Sequence, residues 1–355
     1  QDGRGNEFGT RRLQMTFAGY AYSPNIFYKY VFNTDKNGEE IAGGTKDAGL
    51  GVEDAFFGYK KGMFKITFGQ MKIPFDIEEL ASSSGLEFVD RSSKRHVWER
   101  DHGIKFDFSP VKNKINIAYY LGTGTGGNNS ESYFKQNGNT DDHIHAYRID
   151  ITPLGQYKYS QGDLKGSDLK VGFGAAYVQW NNLTVNAAYE ILNDAGDDFV
   201  KGKLDDILDK LEIAFDNSGQ TTAASTDFDV SAMTYDFRAK MSGFAFEYNY
   251  SILTGKDQEN SAVGRASTDF HRYQLSYTTP SGWMIGYRYS IMDESTGDNS
   301  TNSKGDNHEE ISYGFGKYFA GHNLKLQATY SELTEEKTGD DAKDEIWMFQ
   351  AQMKF

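Results

Sequence analysis

Residues 342–355, AKDEIWMFQAQMKF, place an apolar side chain at every second position of their second half. Those residues are Trp347, Phe349, Ala351, Met353 and Phe355. Successive side chains of a β-strand point to opposite faces, so the stretch presents one apolar face and one polar face. We predict a terminal β-strand whose apolar face suits lipid.

The same period-two pattern recurs along the chain. It predicts further strands near 11–22, 26–32, 50–60, 63–71, 100–109, 113–122, 141–152, 168–180, 226–239, 242–252, 268–278, 282–292, 308–318 and 322–333. Their apolar faces include Phe244, Phe246, Tyr248 and Tyr250, and also Trp283, Ile285, Tyr287 and Tyr289. We therefore predict an all-β fold in which antiparallel strands form one sheet.

Tight connections alternate with long polar ones, as in transmembrane β-barrels with short turns at one end and long extracellular loops at the other. The final aromatic residue, Phe355, resembles the C-terminal recognition signal of bacterial outer-membrane barrels. We find no domain boundary and predict a single outer-membrane barrel over residues 1–355. Counting strands from the two ends gives conflicting parities, so we predict 16 strands, with 14 and 18 left open.

Composition supports this interpretation. The chain has 25 Phe, 23 Tyr and 38 Gly but only 5 Pro and no Cys, which favours strands and turns and excludes disulfides. Mean hydropathy is −0.65 and no apolar run approaches the length of a membrane helix, whereas a barrel strand needs only about 9–11 residues. The net charge of −14 argues against nucleic acid as a partner. We expect a mature exported protein whose signal peptide has been removed.

If the apolar faces meet lipid, the opposite faces line a lumen that is more basic than the chain. The predicted lumen wall has the cations Arg12, Lys65, Lys105, Lys114, Arg148, Arg238, Arg272, Arg288, Lys325 and Lys354. A smaller set of acids, Asp107, Asp150, Asp236 and Glu247, shares that face. A polar lumen is expected of any water-filled barrel, but rings of Arg and Lys bias a pore toward anions.

Residues 69–100, GQMKIPFDIEELASSSGLEFVDRSSKRHVWER, interrupt the strand pattern. They contain a block formed by Gly69, Gln70, Lys72, Pro74, Phe75, Glu78, Glu79, Leu80, Ser82, Ser83, Phe88, Asp90, Arg91 and Ser92. In spacing and identity this block resembles the phosphate-selective porin O and P family. Lys94–Arg100 departs from the family pattern and adds mixed charge.

The resemblance implies a passive diffusion channel of the outer membrane, commonly trimeric, with an inward-folded loop that narrows the pore. The loop residues predicted to line the constriction are Lys72, Glu78, Glu79, Arg91, Lys94, Arg95 and Arg100. In the alternative, the loop is structural and Glu78 and Glu79 pair with these bases. The chain has only 11 Arg, so we expect a general or anion-preferring pore rather than a phosphate-specific one.

Other features leave weaker expectations. The acidic pairs 197–198, 205–206 and 340–341 could hold loop-bound Ca²⁺, although none has EF-hand spacing. Lys203–Ala214 has helical spacing and predicts a short amphipathic helix in a loop.

We find no nucleophile–base pair and predict no enzyme and no cofactor. The expected partners are small hydrophilic or anionic solutes, outer-membrane lipid, lipopolysaccharide and two further copies of the chain. The alternative function is a plugged or sheathing barrel around a partner such as an electron-transfer cytochrome.

Overall fold

A computed structural model describes residues 13–33, 51–93, 95, 98, 100–123, 143–185, 226–257, 265–293, 307–335 and 341–355. Fifteen strands form one sheet in which each strand pairs antiparallel with the next along the chain. They are β1 (Gln14–Ala21), β2 (Ser23–Asn33), β3 (Gly51–Lys61), β4 (Phe64–Lys72), β5 (Arg100–Val111), β6 (Ile115–Gly122), β7 (Ile144–Ile151), β8 (Lys170–Val185), β9 (Thr226–Met241), β10 (Phe244–Asp257), β11 (Arg265–Thr278), β12 (Trp283–Asp293), β13 (His308–Tyr318), β14 (Leu324–Glu335) and β15 (Ala342–Met353).

The two faces of the sheet differ as the alternation predicts. On β13, Tyr313 and Phe315 are 42% and 49% exposed, whereas Ser312, the residue before them, is fully buried and Gly314 between them is buried. Cross-strand pairing aligns Tyr287, Tyr313, Tyr330 and Trp347 in one outward row, with neighbouring ring centroids 5.6, 6.3 and 4.8 Å apart. Such aromatic pairs stabilise neighbouring strands, and an outward row suits a membrane interface.

Tight connections join the strands at one end of the sheet, here called the short-turn end. The connection between β9 and β10 consists of Ser242 and Gly243, both with positive φ (52° and 92°). Two residues with positive φ match the twist of a hairpin, and Gly243 has no alternative because an added Cβ would lie 2.4 Å from the carbonyl oxygen of Thr278. These turns fix the register of the hairpins.

The sheet curves around a segment of its own chain. Residues 73–93, which follow β4, hydrogen-bond to side chains of β7, β11, β12, β13, β14 and β15. This segment contains a short helix α1 (Ile77–Leu80) and a 3₁₀ turn (Ser83–Gly85). A flat sheet could not bring strands from β7 to β15 into contact with about twenty residues of one segment, so the sheet forms a barrel wall with the segment inside.

The predicted strands are confirmed, with shifts of a few residues at their ends. β8 extends five residues beyond its predicted end, to Val185. The predicted helix at Lys203–Ala214 and the acidic pairs at 197–198 and 205–206 lie outside the described residues. The described strands number fifteen, and the predicted total of 16 and the single domain over 1–355 stay predictions. No helix among the described residues is long and apolar enough to cross a membrane.

Candidate functional site: the lumen and its inward segments

The inner loop, whose described residues are 73–93, 95 and 98, follows the end of β4 at Lys72. Near that end, Gly69 has φ +119°, and a Cβ there would lie 2.2 Å from the carbonyl oxygen of Ala55 on β3. Only glycine fits this position. Pro74 follows and offers no backbone N–H to a neighbouring strand. The chain therefore leaves the wall and turns into the lumen.

The start of the inner loop forms a buried acidic turn. Asp76 caps α1, because its carboxylate accepts hydrogen bonds from the backbone N–H groups of Glu78 (3.2 Å) and Glu79 (3.1 Å). All three acids are at most 3% exposed. Burial opposes the ionisation of Asp76 and raises its pKa, although Arg95 opposes that shift. Buried carboxylates need partners, and each of these acids has cations around it.

Glu79 is the centre of one cation cluster. Its carboxylate lies 3.2 Å from Lys72 Nζ, 3.3 Å from Arg91 Nε and 3.1 Å from a terminal nitrogen of Arg95. Burial disfavours the charged form, but these cations together hold the pKa of Glu79 below its usual value. Three of the predicted constriction cations are therefore paired within the loop.

Glu78 joins the loop to the far wall. Its Oε1 lies 3.6 Å from both Arg272 on β11 and Arg288 on β12, and its Oε2 accepts from the backbone N–H and hydroxyl of Ser92, both at 3.1 Å. Burial opposes ionisation, but Arg272 and Arg288 lower the pKa of Glu78 to about 2. The carboxylate is ionised and fixes the loop across the barrel.

The other constriction residues are also paired or fall outside the description. Arg100 binds Asp54 at 2.7 Å and Glu53 at 3.0 Å on β3. Lys94 lies outside the described residues. Glu79 thus pairs with three of the predicted bases, as the alternative expects, whereas the ion pairs of Glu78 are with arginines of the far wall. The role of the predicted constriction residues in ion filtering stays a prediction.

The predicted lumen arginines face inward, but they are buried rather than exposed to water. Arg148, Arg238, Arg272 and Arg288 are each at most 3% exposed. Arg148 binds Asp150 and Asp236, Arg238 binds the same two acids, Arg272 binds Glu247 and Arg288 binds Glu310, at 2.5–3.1 Å. The sequence pattern identified their face correctly and their solvation wrongly, because inward parts of the chain cover them. The inner loop contacts Arg148, Arg272 and Arg288, and the rings of Tyr157 and Tyr159 lie over Arg238.

Several of these wall residues also hold the backbone of the loop. Arg288 donates to the carbonyl oxygens of Asp90 (2.9 Å) and Arg91 (3.3 Å), and Arg148 donates to that of Phe75 (2.8 Å). Further donors are Lys325 and Gln327 on β14, which bind the carbonyl of Leu86, while Thr329 accepts from the N–H of Val89. A buried loop needs such partners, since its backbone groups have no strand to pair with.

The remaining predicted wall cations differ in their environments. Lys65 on β4 and Lys105 on β5 are partly exposed, and Lys65 lies 3.4 Å from Asp107. Lys114 was wrongly predicted to line the wall: it is exposed in the tight turn between β5 and β6, one residue before the strand alternation begins. Arg12 lies outside the described residues.

A second inward segment, residues 152–169 between β7 and β8, was not predicted. It belongs to the short-turn end, where the neighbouring connections are tight. Tyr159 donates a 2.6 Å hydrogen bond to Asp150, and the ring of Tyr157 packs 5.1 Å from the guanidinium of Arg238. The only sequence signal was the length of this connection between two clear strands, with two tyrosines opposite arginines of the wall.

The two inward segments contact each other inside the barrel. Gln161 donates its backbone N–H to the carbonyl of Gly85 (3.0 Å), and its side-chain oxygen accepts from the N–H of Glu87 (3.0 Å). Gly162 allows this approach, because an added Cβ would lie 2.3 Å from Glu87 Oε1. Burial raises the pKa of Glu87 to about 7. This contact joins the inner loop to the segment that enters from the short-turn end.

The comparisons with known proteins agree with this architecture. Residues 1–161 match the family model described as phosphate-selective porin O and P. The predicted family resemblance is confirmed. No curated protein matches the chain.

Among solved structures, the chain is similar to an outer-membrane protein OmpT of Vibrio cholerae in a trimer form, with 12% identity, coverage of 99% and 90% of the two chains and a TM-score of 0.54. It is also similar to an anion-selective porin from Comamonas acidovorans (8%, 96% and 84%, 0.53) and to the outer-membrane channel DcaP of Acinetobacter baumannii (14%, 96% and 83%, 0.52). The predicted barrel fold is confirmed.

Proposed function

We propose that this protein is a porin, a passive diffusion channel of the bacterial outer membrane for small hydrophilic solutes, with a preference for anions. The carrying observation is an asymmetry of exposure on the lumen wall. Lys29 and Lys65 are 38% and 35% exposed, whereas their partners Asp54 and Asp107 are 9% and 14% exposed. Water in the lumen therefore meets the ammonium groups more than the carboxylates, which favours anions near that wall.

The burial of the arginines supports a broad anion class rather than phosphate. A phosphate site needs guanidinium groups that can donate two parallel hydrogen bonds to the ligand. Here Arg148, Arg238 and Arg288 direct those donors to wall carboxylates and to the backbone of the inner loop. The similar fold of the anion-selective porin from Comamonas acidovorans agrees with the general preference.

The function is tested by conductance in planar lipid bilayers. The reversal potential under a KCl gradient is expected to show preference for chloride over potassium, and a cation-selective channel would contradict the proposal. Replacing Lys29 and Lys65 by Met should reduce the preference. Lys114→Met is the matched control, since Lys114 is exposed in a turn and should leave selectivity unchanged.

One observation favours a second candidate, a plugged barrel. The hydrogen bonds between Gln161 and residues 85 and 87 join the two inward segments within the lumen. A barrel closed by this contact would serve a structural or interaction role, including one around a partner protein. Correctly folded protein that inserts into bilayers without conductance would decide for this candidate.

We further propose that the protein assembles as a trimer in contact with outer-membrane lipid and lipopolysaccharide. The support is the similar fold of the OmpT trimer form together with the exposed aromatic row on β12–β15. Chemical cross-linking in detergent followed by denaturing electrophoresis should give a band at three times the chain mass of 39.9 kDa.

A further inference from the structure

The lumen face of β2–β5 combines two aromatic rings with three lysines. Strand pairing aligns Lys29 with Phe56, and in the next row it aligns Phe27, Gly58, Thr67 and Lys105 across four strands. Neighbouring strands are about 4.8 Å apart, so the side chains of these rows are close neighbours. This surface, together with Lys65, is called the lysine–phenylalanine wall.

The two rings are partly exposed to the lumen and their geometry is fixed. Phe27 and Phe56 meet edge to face, with centroids 6.4 Å apart and planes at 76°. Phe27 lies directly over Gly58, where an added Cβ would be 2.4 Å from the ring. Phe56 packs on the apolar core formed with the inner loop. The wall therefore presents a preformed apolar surface that is partly exposed to the lumen.

The lysines lie beside the rings. Lys29 Nζ is 5.9 Å from the Phe56 centroid, and Lys65 Nζ is 5.3 Å from the Phe27 centroid. The ion pair between Lys65 and Asp107 is long, at 3.4 Å, and half-exposed, so this ammonium retains capacity for another anion. Within the described part of the chain, no ion pair within 4.0 Å involves Lys105.

A polar group in the same row also lacks a partner. Thr67 is 2% exposed, and its hydroxyl has no hydrogen-bond partner among the described residues. It lies between Gly58 and Lys105 in the row of pairs. A buried hydroxyl without a partner costs free energy, which a ligand oxygen beside Lys105 would recover.

We propose that the lysine–phenylalanine wall is a binding site for organic anions in which a carboxylate is attached to an aromatic ring. The ammonium groups attract the carboxylate, and the rings of Phe27 and Phe56 stack with the ring of the solute. A compact anion such as chloride or phosphate would use the lysines but gain nothing from the rings. This inference rests on the proposed function and adds a solute class to it.

The test compares two carboxylates of equal charge, benzoate and acetate, as blockers of the chloride current of the full-length protein in planar bilayers. Benzoate is expected to block at a concentration about threefold to tenfold lower than acetate, the range that ring stacking supplies. Phe56→Leu should abolish that difference and Lys105→Met should weaken block by both anions.

The chain offers matched controls. Phe57→Leu changes the next residue of β3, whose ring is 56% exposed on the outer face, and Lys114→Met changes a turn lysine. In both variants, benzoate and acetate should block the chloride current as they do in the unmodified protein. Equal block by benzoate and acetate, or loss of the difference in Phe57→Leu as well, would overturn the proposal.

Failure of the channel function is distinguishable from failure of this site. A protein that does not conduct would contradict the proposed function, while benzoate binding to the detergent-solubilised protein, followed by calorimetry, would still report on the wall. Binding that is tighter than that of acetate and lost in Phe56→Leu supports the site, and no benzoate binding rejects it.

Discussion

The ring of Phe88 on the inner loop packs directly on Gly314 of β13, where an added Cβ would lie 2.9 Å from a ring carbon. Gly314 is paired with Gly286 of β12, and a Cβ there would lie 3.2 Å from the same ring. Two paired glycines thus form a recess in the wall that receives one aromatic side chain of the loop. The guanidinium of Arg288 lies over the same ring, 4.6 Å from its centroid.

Gly314→Ala should therefore disturb the loop. A methyl group at 2.9 Å forces the ring to move, and overpacking of this kind costs about 1–3 kcal/mol. We expect a lower thermal unfolding temperature, followed by circular dichroism in detergent, and noisier single-channel currents. Adding Phe88→Leu to the same variant should restore quiet currents, and failure of that rescue would show that the glycine acts elsewhere.

Glu78→Gln should loosen the loop by a different route. The substitution removes the carboxylate that lies 3.6 Å from both Arg272 and Arg288. Breaking a buried ion pair from one side costs about 3–5 kcal/mol, and the lower part of that range applies because Glu247 and Glu310 still pair with the two arginines. The unfolding temperature should fall more than in Glu53→Gln, a matched control at a partly exposed carboxylate.

The same carboxylate predicts that the protein loses folding stability at low pH. Its pKa is lowered from 4.5 to about 2 in the folded protein, so the unfolded chain takes up protons first as the pH falls. The stabilisation is complete above pH 4.5 and is lost as the pH falls toward 2. The unfolding temperature measured across this interval should fall more steeply in the unmodified protein than in Glu78→Gln.

Glu87 predicts the opposite dependence of folding stability on pH. Burial raises its pKa from 4.5 to about 7, so the folded protein binds a proton that the unfolded chain has released. Stability from this group is complete below pH 4.5 and is lost as the pH rises through 7. Glu87→Gln, which keeps a neutral side chain at every pH, should flatten the change in unfolding temperature between pH 4.5 and 7. An unchanged slope would contradict the assignment.

Gln161→Ala should separate the two inward segments. The side chain accepts the hydrogen bond from Glu87 N and lies 3.4–3.5 Å from Gln274 and Glu247, so its removal leaves a buried N–H without a partner. We expect larger or more variable single-channel conductance. Lys165→Ala, an exposed position of the same segment, is the control and should conduct like the unmodified protein.

The wall of the barrel was predictable from the sequence, and much of its interior was not. Strands such as β13 follow from an alternation that each short stretch carries within itself. The environment of Arg288 does not, because its partners Glu78 and the carbonyl of Asp90 lie about two hundred residues away in the chain. The alternation showed which face Arg288 occupies. Its burial depends on which distant segment covers that face.

The inner loop itself was predicted from the block between Gly69 and Ser92, but the segment at 152–169 was missed. Its inward path depends on Tyr159 reaching Asp150 and on Gln161 reaching Gly85. None of these residues has a distinctive spacing. Their contacts arise only when the barrel places β7, β9 and the inner loop together.

The order of strands along the chain also constrains the order of assembly. Each wall strand needs only its sequence neighbour, so hairpins can form as the chain is delivered. The inner loop has no such freedom: Val89 binds Thr329, 240 residues later, and Ser84 binds Gln352, 268 residues later. Residues 73–93 therefore remain without most of their partners until the last strands arrive. The C-terminal strands complete the described part of the wall and, in the same step, give the N-terminal loop its final position.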